Sequence, residues 1–198
     1  MKKVILLILP FLFACTPAAP KPTPEPTPEP TPIMTFEPSD LLGKKANMSG
    51  YRFLSDRDHV FIVSSVEDMA ERADRGEDFA VYFGYDTCPW CNEAVPLLNE
   101  AAKANGYQVG YINVYPADGE PMFNYELLVS RWEDQFTYDE NGEPNVTVPF
   151  VFFFKDGEVA VKQKGTVEGH NANERRMTEE ENAQLKQEYM DDFALISK

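Results

Sequence analysis

Apolar positions along the chain fall into two spacings, separated by turn-forming residues. Residues 79–85, FAVYFGY, are aromatic and β-branched almost throughout, as a strand buried on both faces requires. Residues 59–63, 109–115 and 148–154 read as strands on the same ground. Asp156-Gly157 is a hairpin turn signal, which makes residues 158–162 the return strand. Elsewhere the apolar residues are three or four apart, as on one face of a helix. Ser64 or Ser65 can cap a helix running to about Arg75, with Gly76 ending it. Residues 91–105 read as a helix stopped by Gly106. Leu128, Trp132 and Phe136 predict an amphipathic helix over 124–136. Thr178 can cap a last helix to about Ala194, with Leu185, Tyr189 and Phe193 on one face. The order β-α-β-α-β-α-β-β-α predicts a three-layer α/β domain over residues 41–198.

The first forty residues follow neither spacing. Lys2 and Lys3 precede an apolar run over 4–14, too short for a span of about 20 residues and of the length of a signal-peptide core. Residues 1–14 are therefore expected to be a signal peptide. The run ends Leu12-Phe13-Ala14-Cys15, which resembles the bacterial lipoprotein processing site, although Phe13 departs from the smaller residue of that pattern. The resemblance implies lipid attachment at Cys15. Residues 16–38 repeat TPEP, and proline fixes φ and removes donors, so neither helix nor central strand can form. An extended polyproline tether over 15–40 is expected, with a reach of roughly 60–70 Å. Together these imply a domain held at the outer face of a bacterial cytoplasmic membrane, or the periplasmic side of an envelope membrane, by its N-terminal lipid.

Charge narrows the partners. The formal net charge is −15, which repels a phosphate backbone and excludes nucleic acid as a first reading. An acidic chain gains nothing from an anionic membrane surface either, so attachment has to come from the lipid.

The remaining chemistry lies in Thr87-Cys88-Pro89-Trp90-Cys91, between a predicted strand and a predicted helix. Three readings of a C-x-x-C compete: redox pair, structural disulfide and half a zinc site. Zinc needs about four ligands. The domain offers no third cysteine and only His59 and His170, read as surface or structural, so no metal and no cofactor is expected. A structural disulfide over so short a loop brings little entropic gain. The redox reading leads. At a helix start, backbone N–H groups and the positive dipole end favour thiolate over thiol. The pKa of Cys88 is expected to fall from about 8.5 into a range of about 3.5–7.5, making it the exposed nucleophile. Cys91, inside the first turn, is expected to resolve the mixed disulfide. Pro89 fixes the turn, and Trp90 is expected to pack beside the sulfurs and shape substrate access.

From about Val60 onward the chain resembles the thioredoxin superfamily. The pair follows a strand, Pro96 lies five residues after Cys91, Val148-Pro149 matches the family's X-Pro step, and Phe154-Lys155-Asp156-Gly157-Glu158-Val159 matches its strand-turn-strand, with Gly165 beyond. The resemblance implies a thioredoxin-like fold with a central mixed sheet, a cis Pro149 facing the cysteines, and Val148 offering backbone hydrogen bonds to an extended substrate. The nearest subgroup is read as the thioredoxin-like lipoproteins and bacteriocin accessory proteins. It implies a thiol–disulfide oxidoreductase acting on exported protein or peptide disulfides, with a membrane electron donor or acceptor as a further partner. A tethered peptide-binding or accessory module with little redox turnover is the alternative. Two departures bear on mechanism. Tyr82 stands where thioredoxins carry a buried carboxylate, and Thr87 replaces a tryptophan. Glu93 is expected to be a solvated first-turn residue, with substitution for the missing acid as the alternative. Residues 116–145 exceed a minimal thioredoxin and read as a substrate-selecting flap or as decoration. The direction of electron flow stays open.

Overall fold

The computed structural model describes residues 40–197. The expected signal peptide over 1–14, and Cys15 with the tether that follows it, lie outside the described residues. Five strands form one mixed sheet: β1 (Phe61–Val63), β2 (Phe79–Gly84), β3 (Val109–Asn113), β4 (Phe150–Lys155) and β5 (Glu158–Lys164). Their order is β1-β3-β2-β4-β5. β3 runs parallel to both β1 and β2, β4 is antiparallel to β2, and β5 returns antiparallel along β4. The helices are α1 (Val66–Asp74), α2 (Pro89–Asn105), α3 (Tyr125–Arg131) and α4 (Glu179–Ile196).

The alternation of the central strands builds two cores. Ala80 and Tyr82 of β2, with Val151 and Phe153 of β4, pack under α2 and α4. Phe79, Val81 and Phe83, with Phe150, Phe152 and Phe154, pack under α1 and α3. A strand buried on both faces must be apolar along its length, and both of these are, up to the half-buried Lys155 that ends β4. The sheet therefore lies between two helical layers, as expected of the thioredoxin-like arrangement.

Local chemistry sets the boundaries, and several differ from the sequence reading. Ser65 caps α1, its side chain accepting the Asp68 N–H at 3.1 Å. α2 begins at Pro89 rather than Cys91, because proline at the first helical position loses nothing by lacking an N–H. It continues through Pro96 and ends at Gly106, whose φ of 74° is left-handed. β3 stops at Asn113, whose side-chain oxygen takes the Tyr115 N–H at 3.0 Å and turns the chain away. The helix predicted over 124–136 ends at Arg131, and a 3-10 turn over Glu133–Gln135 completes it. Leu128, Trp132 and Phe136 are nonetheless all buried in one core. β4 starts at Phe150 because the proline before it has no N–H to give the ladder. The Asp156-Gly157 turn has positive φ at both residues, 50° and 81°, as the twist of a tight hairpin demands.

The segment before β1 is more than an entry loop. Ala46, Met48, Tyr51 and Leu54 are buried in the core under α2. Asn92 and Asn99 of α2 fasten this segment, Oδ1 of each accepting a backbone N–H, from Arg52 at 2.6 Å and from Val60 at 3.0 Å.

Candidate redox site

Cys88 and Cys91 are joined by a disulfide at the N-terminus of α2, with their Cα atoms 5.1 Å apart. Cys88 is the cap of the helix. Its Sγ accepts the N–H of Cys91 at 3.1 Å, so a backbone donor already points at the sulfur that would carry charge on reduction. Buried Asn92 holds the loop from the other side. Its Nδ2 donates to the carbonyls of Asp86 at 2.5 Å and Cys88 at 2.9 Å. The sequence reading passed over Asn92, since an asparagine in a first helical turn carries no distinctive spacing.

The sequence reading expected an exposed Cys88. The structure places it only 3% exposed, at the foot of a groove, with Cys91 fully buried behind it. The groove has a volume of about 630 Å³. Cys88, Pro89, Trp90 and Val148 line it together, which brings four of the expected site residues to one place. Pro149 is buried and does not line it. The Val148-Pro149 bond is cis, as the resemblance implied, and the Pro149 carbonyl accepts the Gly165 N–H at 2.8 Å. Trp90 is half-buried, and its Nε1–H donates to the carbonyl of His170 at 3.4 Å.

The far wall answers the choice between a substrate-selecting flap and decoration over residues 116–145. Tyr115, Phe123, Tyr125 and Val146 come from the long segment between β3 and β4. Tyr115 stacks edge-on against Tyr85 with centroids 4.8 Å apart while remaining 71% exposed. Tyr125 fastens the segment to itself by donating to the Pro144 carbonyl at 3.2 Å. That segment is therefore a groove wall rather than decoration.

Glu93 overturns its expectation. It is 4% exposed, not solvated. Its Oε2 accepts the Met177 N–H at 2.9 Å and lies 3.0 Å from Nε2 of buried His170, at ion-pair distance though off the line of an N–H bond. Glu93 thereby ties the segment before α4 to the first turns of α2. A residue in that position looks solvated from sequence because its partners come from 77 to 84 residues away, which no helical periodicity displays.

Strand order, layers and the placing of the pair define a thioredoxin-like domain with a C-x-x-C disulfide at the start of its second helix. No protein-family model matches the chain. Among solved structures it is similar to thioredoxin from Aeropyrum pernix, at 20% identity over 52% of this chain and 73% of that one, with a TM-score of 0.35. It is also similar to thioredoxin O2 from Arabidopsis thaliana in the oxidised state, at 18% identity over 61% of this chain and 91% of that one, TM-score 0.36. Thioredoxin O1 from the same plant, also oxidised, matches at 18% over 58% and 89%, TM-score 0.34. The fold assignment rests on the topology of the chain itself.

Proposed function

We propose that the chain is a thiol–disulfide oxidoreductase acting outside the cytoplasm on disulfides of exported proteins or peptides, with Cys88 and Cys91 as its catalytic pair. The observation that carries this reading is a bonded cysteine pair whose first sulfur caps a helix and opens at the foot of an apolar groove. In the reducing direction the Cys88 thiolate attacks one sulfur of a substrate disulfide. That S–S bond breaks, and the departing thiolate takes a proton from solvent. Cys91 then loses its proton and attacks Sγ of Cys88. The second substrate thiolate leaves, and the protein ends with the Cys88–Cys91 disulfide. The oxidising direction is the same sequence reversed. Reduction potential relative to the partner decides between them. Val148, Pro89 and Trp90 would hold the chain flanking the substrate cysteine, an extended peptide pairing with the Val148 backbone. Pro149, buried beside Val148 in sequence, would fix that backbone rather than touch the peptide. Lipid attachment at Cys15 and a membrane-bound electron donor or acceptor belong to this proposal.

A peptide-holding accessory module is the second reading, favoured by the breadth of the groove. Turnover of a peptide disulfide separates the two. Cys88→Ser is expected to abolish turnover, and Cys91→Ser to accumulate mixed disulfides through Cys88. Peptide binding without turnover by the wild type would favour the module. Mixed disulfides from Cys88→Ser but not from Cys91→Ser would reverse the two roles.

A further inference from the structure

Three tyrosines lie behind the buried cysteine, from three separate parts of the chain. Tyr51 comes from the segment before β1, Tyr82 from β2 and Tyr111 from β3, and all three are buried. Tyr51 O–H donates to the Tyr111 hydroxyl at 3.2 Å. The hydroxyls of Tyr82 and Tyr51 are 3.3 Å apart. A hydroxyl has one hydrogen, and that of Tyr51 is given to Tyr111, so in the second bond Tyr82 is the donor. The chain of bonds therefore runs one way, Tyr82 to Tyr51 to Tyr111. The near end meets the redox pair at Gly84. A Cβ at this glycine would fall on the Tyr82 hydroxyl and 3.1 Å from Sγ of Cys91. Gly84 thus keeps open a space that the Tyr82 hydroxyl and the Cys91 sulfur both border. With its hydrogen committed to Tyr51, the Tyr82 oxygen keeps lone pairs free to accept. At the far end, Tyr111 borders a small pocket of about 10 Å³, room for roughly one water, shared with Asn113 and Glu120.

We propose that Tyr82, Tyr51 and Tyr111 form a proton relay that carries the Cys91 thiol proton to the surface when Cys91 resolves a mixed disulfide on Cys88. The inference rests on the oxidoreductase reading above. The proton of Cys91 passes to the Tyr82 oxygen as the proton of Tyr82 passes to Tyr51, that of Tyr51 to Tyr111, and that of Tyr111 to water at the pocket. No tyrosinate accumulates. The electron pair left on Cys91 forms the bond to Cys88, and the substrate sulfur leaves with the pair of the bond that breaks. Each phenol takes one proton as it gives another, which suits groups that burial holds well above the ordinary tyrosine pKa. The charged or titratable groups facing the relay are Tyr189 from α4, Asp86 from the loop before α2, and Glu120. The relay does not run through Glu93, whose Oε2 accepts the Met177 N–H and lies 3.0 Å from Nε2 of His170.

The test uses the full chain bearing Cys15→Ser, so that only the pair reacts, and the aromatic disulfide dithiobis-nitrobenzoate as probe. Reduced protein releases one coloured thiolate as Cys88 is modified and a second as Cys91 resolves the mixed disulfide. Tyr82→Phe and Tyr51→Phe keep the rings and remove one hydroxyl each, at the first and second links. Both are expected to leave the first phase unchanged and to slow the second by about 10²-fold, the low end of acid–base contributions. The second phase of the wild type should show a solvent deuterium effect with a curved proton inventory, as several protons move together, and both variants should lose that curvature. Tyr51→Phe keeps the test decisive if Tyr82→Phe does not fold. Second phases at the wild-type rate, or slowed with the curved inventory retained, would overturn the relay while leaving the oxidoreductase reading intact. A wild type that never modifies Cys88 would overturn that reading and the relay with it.

Discussion

Asp192 lies on the packed side of α4, 9% exposed, with Oδ2 meeting no hydrogen-bond partner among the described residues. Burial, and then the charges of Glu188 and Asp191, push its carboxyl up to about 6. A carboxyl raised above its unfolded value of about 3.9 favours the fold only while protonated. That contribution is present in full below about pH 4 and is lost as the pH rises through about 6. Asp192→Asn is therefore expected to raise the urea midpoint at about pH 7.5, by the equivalent of about 1 kcal/mol once solvent screening is allowed for. Near pH 4 the midpoint should not change. Equal gains at both pH values, read from urea melts, would count against burial of charge as the cause. Residues such as Asp192, Asn92 and Glu93 share one property. Each is polar, and each was assigned to solvent or passed over in the sequence reading, because what surrounds it comes from other elements.

At the scale of elements, the wall built by the segment between β3 and β4 sets what the groove accepts. Its aromatic side chains stand beside Cys88 and offer apolar area to whatever flanks a substrate cysteine. Tyr115→Ala removes an exposed ring that supports no core, so the fold should be unaffected. KM for a peptide disulfide with an aromatic residue beside its cysteine is expected to rise about fivefold, near 1 kcal/mol of lost apolar contact. Reaction with a small disulfide that never reaches the wall should keep its rate. An equal loss for both substrates would remove the wall from specificity. The regular elements were legible because each carries its own signal: Ser65 and Thr178 as caps, Gly106 as a stop, and the unbroken apolar runs of β2 and β4. For the wall, the sequence left a substrate-selecting flap and decoration as alternatives, because loop residues acquire a face only when the elements around them are in place.

For the whole molecule, the proposed membrane attachment has to be reconciled with an acidic chain. A formal charge of −15 gives no attraction to anionic lipid. Attachment is proposed to rest on Cys15 and the proline-rich residues after it. Cys15→Ala is expected to move the protein from the membrane fraction to the soluble one, or to block removal of the signal segment, while the chemistry of Cys88 and Cys91 stays unchanged. Normal processing with unaltered membrane fractionation would rule the anchor out.

By itself the sequence determined the fold class, the element order and the placing of two cysteines three positions apart between a strand and a helix, because these depend on local spacing: period two or three to four, caps and turns; the X-Pro step was implied by the resemblance. The tertiary structure decided the rest. It buried Cys88 at the foot of a groove, turned Glu93 inward to His170, and set the long segment as a wall. It also brought Tyr51, Tyr82 and Tyr111 together behind Cys91, although 31 and 60 residues separate Tyr51 from its two hydrogen-bond partners. Such contacts leave no periodic trace in a single chain. They arise from packing a parallel crossover against a sheet, which joins residues that sequence keeps far apart.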